Sequence, residues 1–238
     1  DIAKEAKYQK AIVLQNGKQE IKTGVNDIWG TQINRAGKEW KQYSMIVNIP
    51  DNKLVKFVFK PCAGDNNSLS GYDCKKADNV VYWFDKVTLE PTDEAGPGEG
   101  EEPATELVKN GSFEKDFAAD KQPGIYAAWQ TQGNNTLNFL DMWFAKPDVT
   151  NPSLSIDTST GANGSNRSLK YTAEKVDNTW GVDLSYPLQG VNPGKYELSF
   201  YAKTNQTESP FITSITLCEN NEDIAKEAKF QKAIVLQN

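Results

Sequence analysis

The sequence predicts an all-β protein, a sandwich of two antiparallel sheets. Eight short runs of β-branched and aromatic residues are separated by turn-forming segments such as Asn192-Pro193-Gly194, a spacing typical of sandwiches. The runs cover residues 11–14, 42–49, 54–60, 80–89, 168–171, 181–186, 196–203 and 212–217. Helical periodicity is confined to residues 2–9 and their copy near the end of the chain, a stretch too short for a stable isolated helix.

The composition agrees with this fold class. The chain has 238 residues, of which 38% are hydrophobic and 11% aromatic. A sandwich of this size can bury an adequate core. The surplus of rings over aliphatic side chains indicates stacking surfaces as well as a core.

Two of the runs alternate clearly between apolar and polar residues. Residues two apart in a strand share a face. One run places Tyr196, Leu198, Phe200 and Ala202 on one face and Glu197, Ser199, Tyr201 and Lys203 on the other. The other run places Val55, Phe57 and Phe59 inward and Lys56, Val58 and Lys60 outward. We therefore expect a dry face and a face open to a hydroxyl-rich ligand.

The two ends of the chain repeat one another. Residues 1–16 return at 223–238 with a single change, Tyr8 to Phe230. Residues 91–105 combine Pro, Gly and acidic residues without apolar periodicity, as in an extended linker. We interpret 1–90 as the C-terminal part of one module and 106–238 as the N-terminal part of the next. The two parts are expected to close into one permuted sandwich, with one copy of the repeat displaced or swapped with a neighbouring chain.

Charge and residue usage exclude several functions. The net charge is −6, which argues against nucleic acid and anionic membranes as partners, because both require a basic face. There is no apolar run long enough for a membrane span and no leader pattern, so we expect no membrane insertion. The chain has no histidine, which removes Ser-His and Cys-His nucleophile pairs.

The three cysteines predict no zinc site. Cys62 and Cys74 lie in a loop rich in Gly, Asn and Asp, which suits a disulfide in an oxidising compartment. The alternative is two free thiols. Cys218 ends an apolar run and is expected in the core.

Four segments resemble carbohydrate-binding module families 4 and 22. Residues 107–114 (LVKNGSFE) resemble the opening strand and residues 191–203 (VNPGKYELSFYAK) the central strand of these families. Residues 39–43 (EWKQY) and 83–89 (WFDKVTL) are similar to the later Trp-x-x-Tyr strand and the closing strand. The order is rotated relative to the family, as the repeat predicts. The tandem organisation is similar to that of modules inserted in xylanases of gut Bacteroidetes.

The resemblance implies a jelly-roll sandwich, read in permuted order, that binds xylan or β-glucan in a cleft on one sheet. It implies a secreted, cell-surface or periplasmic location and association with a glycoside hydrolase such as a xylanase. Such a cleft needs rings for the apolar faces of sugars and planar polar groups for their hydroxyls.

The first candidate ligand residues come from two strands. Trp180 resembles the cleft tryptophan of the family, and Asp183 three residues later is expected to point to the open face. Tyr201 is a candidate because Leu198 and Phe200 already fill the core face. The alternatives are a core tryptophan, a solvated aspartate and a half-buried surface ring.

Further candidates lie in insertions outside the common family pattern. Trp29, with Gln32 and Arg35, resembles a binding loop; the alternative is a tryptophan that anchors the insertion. Trp129 and Trp143 lie in a loop-rich region and are expected to wall the cleft. The two tryptophans of the family strands, in the EWKQY and WFDKVTL segments, are interpreted as core residues.

The resemblance also implies a structural calcium site. Its ligands would be Ser112 and Glu114 near the opening strand and Asp85 in the closing strand, completed by backbone carbonyls. Hard oxygen ligands suit calcium. The alternative is that Asp85 only caps a turn.

Three functions compete at this stage. The favoured one is a non-catalytic module that binds β-linked polysaccharide such as xylan. The others are a structural or adhesive surface repeat and a glycoside hydrolase. A hydrolase needs two carboxylates at a defined separation across a cleft, and the sequence singles out no such pair.

Overall fold

Two β-sheets account for all the extended segments of the described chain. The computed structural model describes residues 12–15, 18–21, 29–49, 54–61, 78–92, 106–126, 139–176, 183–207 and 209–218. The strands are β1 Ile12–Gln15, β2 Lys18–Ile21, β3 Trp29–Ala36, β4 Lys41–Ile49, β5 Leu54–Pro61, β6 Asp78–Pro91, β7 Gly124–Ile125, β8 Phe144–Ala145, β9 Ser153–Asp157, β10 Ser168–Lys175, β11 Leu184–Leu188, β12 Gly194–Thr204 and β13 Ser209–Cys218.

The strands pair mostly in antiparallel fashion. Sheet A has the order β1-β2-β4-β12-β6-β10-β9 and sheet B the order β3-β13-β5-β11-β8-β7. Only the β2/β4 and β7/β8 pairs are parallel. The predicted all-β sandwich is therefore confirmed, whereas the jelly-roll order and the permuted reading stay predictions.

Strands from both sides of the acidic segment 91–105 alternate within each sheet. In sheet A, β12 lies between β4 and β6. In sheet B, β5 lies between β13 and β11. One continuous hydrophobic cluster includes residues from both parts of the chain. The central strands of each sheet thus come from opposite sides of this segment.

The core between the sheets is built from alternating apolar residues. Along β12, Tyr196, Leu198, Phe200 and Ala202 are buried and the intervening residues are not, as the period of two predicted. Aromatic rings fill the centre. Phe59 stacks on Phe84 at 4.6 Å between centroids and lies 4.7 Å from Phe200. Each buried phenylalanine side chain contributes about 1.5–3 kcal/mol through the hydrophobic effect.

Both faces of β5 are buried, which corrects the expectation of an open outward face. Lys56 and Lys60 are 2% and 1% exposed, and Val58 is fully buried. One cause is a second small cluster of Phe139, Met142 and Phe144. It reaches the same face as Val58, because Ser185 pairs with both Val58 and Phe144.

A β-bulge interrupts the pairing of β6 with β12. The register shifts between Ser199 and Tyr201, so that β6 carries an extra residue, and Lys86 has a φ of 49°. A bulge redirects the side chains beside it, and Asp85 is fully buried here. Gly111 lies against the same point: a Cβ at this position would meet the carbonyl oxygen of Val87 at 2.0 Å, so only glycine allows this approach.

Several sequence expectations fall on residues that the structure does not describe. They are the cysteine pair Cys62 and Cys74, most of the segment 91–105, and both copies of the terminal repeat apart from β1.

Candidate functional site

A buried ion cluster lies on the face of sheet B that points away from the core. Asp183 directly precedes β11 and its Oδ1 lies 2.7 Å from Lys60 Nζ. Its Oδ2 lies 2.8 Å from the Nζ of Lys146, which follows β8. The three side chains are between 1% and 9% exposed. We call this group the Asp183 cluster.

The Asp183 cluster corrects one expectation. Asp183 does point away from the core, as strand alternation predicted, but it is not open to solvent. Burial by itself raises the pKa of Asp183, yet the positive charges of Lys60 and Lys146 outweigh it and hold the pKa below its ordinary value. The carboxylate is therefore ionised and fixed between two ammonium groups. The expectation that Asp183 lies open to a ligand was wrong, because the residue is 1% exposed.

The sequence did not single out the two lysines as site residues. Lys60 is outward in the alternation of β5, so its position was predictable. Lys146 follows β8, a two-residue strand in a region that the sequence predicts to be rich in loops. A buried charge pair is weak evidence for net stability, but the loss of one partner from such a pair is strongly destabilising.

The segment with Trp29, Gln32 and Arg35 forms the edge strand of sheet B rather than a loop. Its register pairs Trp29 with Thr216, Gln32 with Thr213 and Arg35 with Pro210 of β13. The strand β13 in turn pairs with β5, the strand of Lys60. The fold therefore brings these three predicted residues to the same sheet as the Asp183 cluster.

Three tryptophans of the predicted cleft have different outcomes. Trp180 and Trp129 lie outside the described residues. Trp143 is fully buried in the core. Its ring stacks on Phe59 at 5.9 Å and lies 4.7 Å from the ring of Tyr186. The expectation that Trp143 walls a cleft was wrong, because its apolar ring completes the main core instead.

Tyr201 lies on the outer face of sheet A, on the opposite side of the sandwich from the Asp183 cluster. Its ring is partly exposed, as the alternation of β12 predicted. The Tyr201 hydroxyl donates to Gln42 Oε1 at 3.2 Å and accepts from Asn163 Nδ2 at 2.8 Å. Tyr201 thus belongs to a different sheet from the Asp183 cluster and from the strand of Trp29, Gln32 and Arg35.

The same outer face carries a row of indole rings and lysines that sequence reasoning missed. Lys203 Nζ lies 5.0 Å from the ring centroid of Trp40 and 4.9 Å from that of Trp83. Lys170 Nζ lies 5.5 Å from the Trp83 centroid. Strand register aligns this row, because Trp83 pairs with both Lys170 and Lys203. We call Trp40, Lys203, Trp83 and Lys170 the indole–lysine row.

Both tryptophans of the row were expected in the core, and both are only half-buried. The alternation of β6 offered a way to find this. Val80, Tyr82 and Phe84, at alternate positions on either side of Trp83, are buried, so Trp83 has the outward phase. The prediction placed Trp83 in the core because its segment resembles the family's closing strand, and it did not apply the alternation of β6.

Asp157 fixes one end of the row. Its Oδ2 accepts from the Trp83 indole N–H at 2.9 Å and lies 3.3 Å from Lys170 Nζ. Partial burial raises the pKa of Asp157, but hydrogen bonds from Ser159, Trp83 and Lys170 outweigh this and hold the pKa well below its ordinary range. Lys170 therefore faces a partner that is ionised at neutral pH.

The residues implied for calcium lie around the bulge of β6. Asp85 accepts the backbone N–H of Lys86 through Oδ1 and that of Ala162 through Oδ2, both at 2.7 Å. Burial raises the pKa of Asp85, and these hydrogen bonds oppose the rise. Asp85 therefore does organise a turn. Ser112 is half-buried in the neighbouring turn.

Oxygen atoms crowd around one hydroxyl in this region. Ser165 Oγ hydrogen bonds with Glu114 Oε1, donates to Arg167 O at 2.8 Å and hydrogen bonds with Asp85. One hydroxyl proton can serve only one of these three acceptors at a time. A hard cation would satisfy the others, so the oxygen set fits calcium. In the described part of the chain no three acidic or thiol side chains gather at one point, so hydroxyl and carbonyl oxygens would have to complete the shell.

A cavity of 420 Å³ opens at the β9 edge of sheet A. It is lined by Asp116, Phe117, Gln122, Pro123, Leu154, Ser155, Ile156 and Arg167. Its volume lies within the usual range of small-molecule sites. Arg167 Nη2 pairs with Asp116 Oδ1 at 2.9 Å, so the two charged groups of the cavity neutralise each other.

No protein-family model, curated protein or solved structure matches the chain. The functional assignment therefore depends on the sequence motifs and on the geometry described above. Among the described residues, no helix has the length and apolar character needed to cross a membrane.

Proposed function

We propose that the protein is a non-catalytic module that binds β-linked plant polysaccharide, most readily xylan and xylo-oligosaccharides. The proposal combines the four family-like motifs with one structural observation. That observation is the position of the Asp183 cluster on the same sheet as the strand of Trp29, Gln32 and Arg35.

The Asp183 cluster is buried, so its proposed role is to hold the outer face of sheet B in shape rather than to contact the sugar. Sugar hydroxyls both donate and accept hydrogen bonds, so the contacts themselves require polar side chains at the surface. Two strands away, β3 supplies an indole, an amide and a guanidinium. Trp180, three residues before Asp183, would add a stacking ring. Fixed polar groups beside rings are what polysaccharide recognition requires.

The electrostatics of Asp183 favour binding over catalysis. A general acid needs a pKa near the working pH, and the two lysines move the pKa of Asp183 in the opposite direction. A glycosidase also requires a second carboxylate across a cleft. The proposal therefore gives Asp183 the role of ordering Lys60 and Lys146 rather than of transferring protons.

Two further elements belong to this proposal. A calcium ion held by Asp85 and Glu114 would pin the opening turn to β6, as a structural ion. The module would work at an oxidising location, secreted, periplasmic or on the bacterial surface, attached to a glycoside hydrolase. Its task would be to keep that enzyme close to the polysaccharide.

Affinity electrophoresis tests the binding function. The purified protein is run through gels that contain neutral arabinoxylan, mixed-linkage β-glucan or mannan, and retardation is expected on xylan. Trp180→Ala and Arg35→Met are expected to lose retardation without a change in melting temperature. Lys195→Met on β12 removes one positive charge from the opposite sheet and serves as the control, with retardation unchanged. Migration of the wild type unaffected by any of the three glycans would exclude the proposal.

A further inference from the structure

We propose that the outer face of sheet A holds a second glycan site, specific for a uronic-acid residue and centred on Lys203. The site consists of the indole–lysine row together with Thr160. It is separate from the surface of sheet B and does not depend on the function proposed for that surface.

Lys203 occupies the middle of the row. Its ammonium group lies between the rings of Trp40 and Trp83, at 5.0 and 4.9 Å from their centroids. It also donates to Thr160 Oγ1 at 2.8 Å. Two half-buried rings and one hydroxyl thus hold the side chain in place, and an ammonium has three protons to donate. The group is therefore positioned before any ligand arrives.

The charges of the row are unbalanced. Lys170 pairs with Asp157, whose pKa is well below its ordinary range. Lys203 pairs with no carboxylate in the described part of the chain. The ammonium of Lys203 is therefore held by two rings and a hydroxyl, with no countercharge among the described residues. A bound carboxylate would supply the missing countercharge.

A uronic-acid residue matches both features of the row. Its carboxylate can accept from Lys203 Nζ and from the Thr160 hydroxyl. Its pyranose ring offers an apolar C–H face to an indole, the same contact that aromatic residues make with neutral sugars. Farther along β12, Tyr201 presents a hydroxyl, and its pairing partner Gln42 on β4 presents an amide. Both groups can reach the ring hydroxyls of a neighbouring sugar.

Other anionic polymers fit less well. Nucleic acid and anionic membranes are bound by several basic residues that neutralise a regular array of phosphates. The row offers one uncompensated cation, and rings flank it on both sides. One carboxylate on a sugar ring therefore agrees better with the row than a chain of phosphates.

The test compares matched oligosaccharides by isothermal titration calorimetry. The two ligands are xylotriose and xylotriose bearing one glucuronic-acid substituent. The wild type is expected to bind the acidic ligand about tenfold more tightly, because one added charge-assisted hydrogen bond has about this effect. Raising NaCl from 0.1 to 1 M is expected to reduce the difference, since salt screens exposed charges.

Two lysine variants separate this site from a general charge effect. Lys203→Met keeps the aliphatic packing and removes the charge, and is expected to abolish the preference for the acidic ligand. Lys195 lies on the same strand and face as Lys203, about 26 Å away at the usual rise per residue. The control variant Lys195→Met is therefore expected to keep the preference for the acidic ligand. Lys203→Arg retains the positive charge and is expected to keep part of the preference.

Each outcome decides the proposal. Equal affinity of the wild type for both ligands overturns it, as does a preference that persists in Lys203→Met. Circular dichroism and melting temperature establish that Lys203→Met is folded; if it is not, Trp83→Ala replaces it, with loss of the acidic preference expected. Failure of neutral xylan to bind, together with a retained preference for the acidic ligand, counts only against the function proposed for sheet B.

Discussion

Asp183 and Lys60 lie 2.7 Å apart, carboxylate oxygen to ammonium nitrogen, with side chains 2% and 1% exposed. Lys146 completes the group on the other carboxylate oxygen. A charge buried to this degree is stable only while its partners are present. The stability of sheet B and the arrangement of its outer face therefore depend on the same three residues.

The Asp183 cluster makes a prediction about stability. Asp183→Asn removes the carboxylate that two buried ammonium groups share and is expected to lower the free energy of unfolding by about 3 kcal/mol or more. Lys60→Met leaves one carboxylate paired with one ammonium and is expected to cost less. Urea unfolding followed by tryptophan fluorescence measures both. Equal losses in the two variants would contradict the assignment of Asp183 as the shared partner.

Two tryptophans lie where the sequence did not predict them, and they give a second prediction. Trp143 was expected at a cleft and is buried in the core, whereas Trp83 was expected in the core and is half-buried. Trp143→Ala removes a fully buried ring and is expected to lower the free energy of unfolding by about 3–5 kcal/mol. Trp83→Ala removes a half-buried ring with exposed cation–π contacts and is expected to cost only about 1–2 kcal/mol. Thermal and urea unfolding of both variants, compared with the wild type, test the difference. A larger loss in Trp83→Ala would reverse the two assignments.

Asp157 gives a prediction about pH. Its pKa in the folded protein is lowered relative to the unfolded value, which is about 3.9. The stabilisation from Asp157 is therefore fully present above about pH 4 and is lost as the pH falls through the lower, folded pKa. Between pH 5 and pH 2 the wild type is expected to lose more stability than Asp157→Asn. Urea unfolding across this range provides the measurement, and parallel curves for the two proteins would refute it.

Calcium binding is tested by its effect on folding. An ion that binds only the folded state stabilises it by RT ln(1 + c/Kd) at ion concentration c, and so raises the melting temperature as c rises above Kd. Addition of 5 mM CaCl₂ after chelator treatment is expected to raise the melting temperature of the wild type, with a smaller effect of MgCl₂, which demands stricter geometry. Glu114→Gln is expected to reduce the calcium effect. As a control, Glu174→Gln removes an exposed carboxylate from the far end of β10 and is expected to behave like the wild type. The absence of any calcium effect would leave Asp85 as the organiser of a turn only.

The sequence predicted the strands better than it predicted what covers them. All eight runs of β-branched and aromatic residues lie in or overlap a strand. Strands are predictable in this way because the alternation of apolar and polar residues depends only on neighbouring positions in the sequence. β12 shows this best, since its buried residues are those that alternation selects. The strands β2, β3, β7, β8 and β9 were missed. β7 and β8 have only two residues, too few to show a period, and β3 lies in a polar segment that the prediction treated as a binding loop.

The errors in the candidate site have a common cause. Whether an outward residue is exposed depends on segments far away in sequence, and Lys60 and Asp183 are buried although the alternation places them outward. Trp143 was assigned to a loop because its neighbours lack periodicity, yet its ring size favours burial once a core is available. Conversely, Trp83 was taken for a core residue on family likeness, whereas the alternation of β6 gives it the outward phase.

The position of β12 between β4 and β6 has a consequence for biosynthesis. Both sheet partners of β6, β10 and β12, follow it in the chain, and about 100 residues separate the end of β6 at Pro91 from the start of β12 at Gly194. At about 5–20 residues per second, the ribosome needs roughly 5–20 s to complete that interval. Until β10 is complete at Lys175 the apolar residues of β6 have neither neighbouring strand, and after that they still lack β12. Unpaired strands are prone to aggregate. Newly made chains are therefore most vulnerable, and most in need of a chaperone, before β12 emerges.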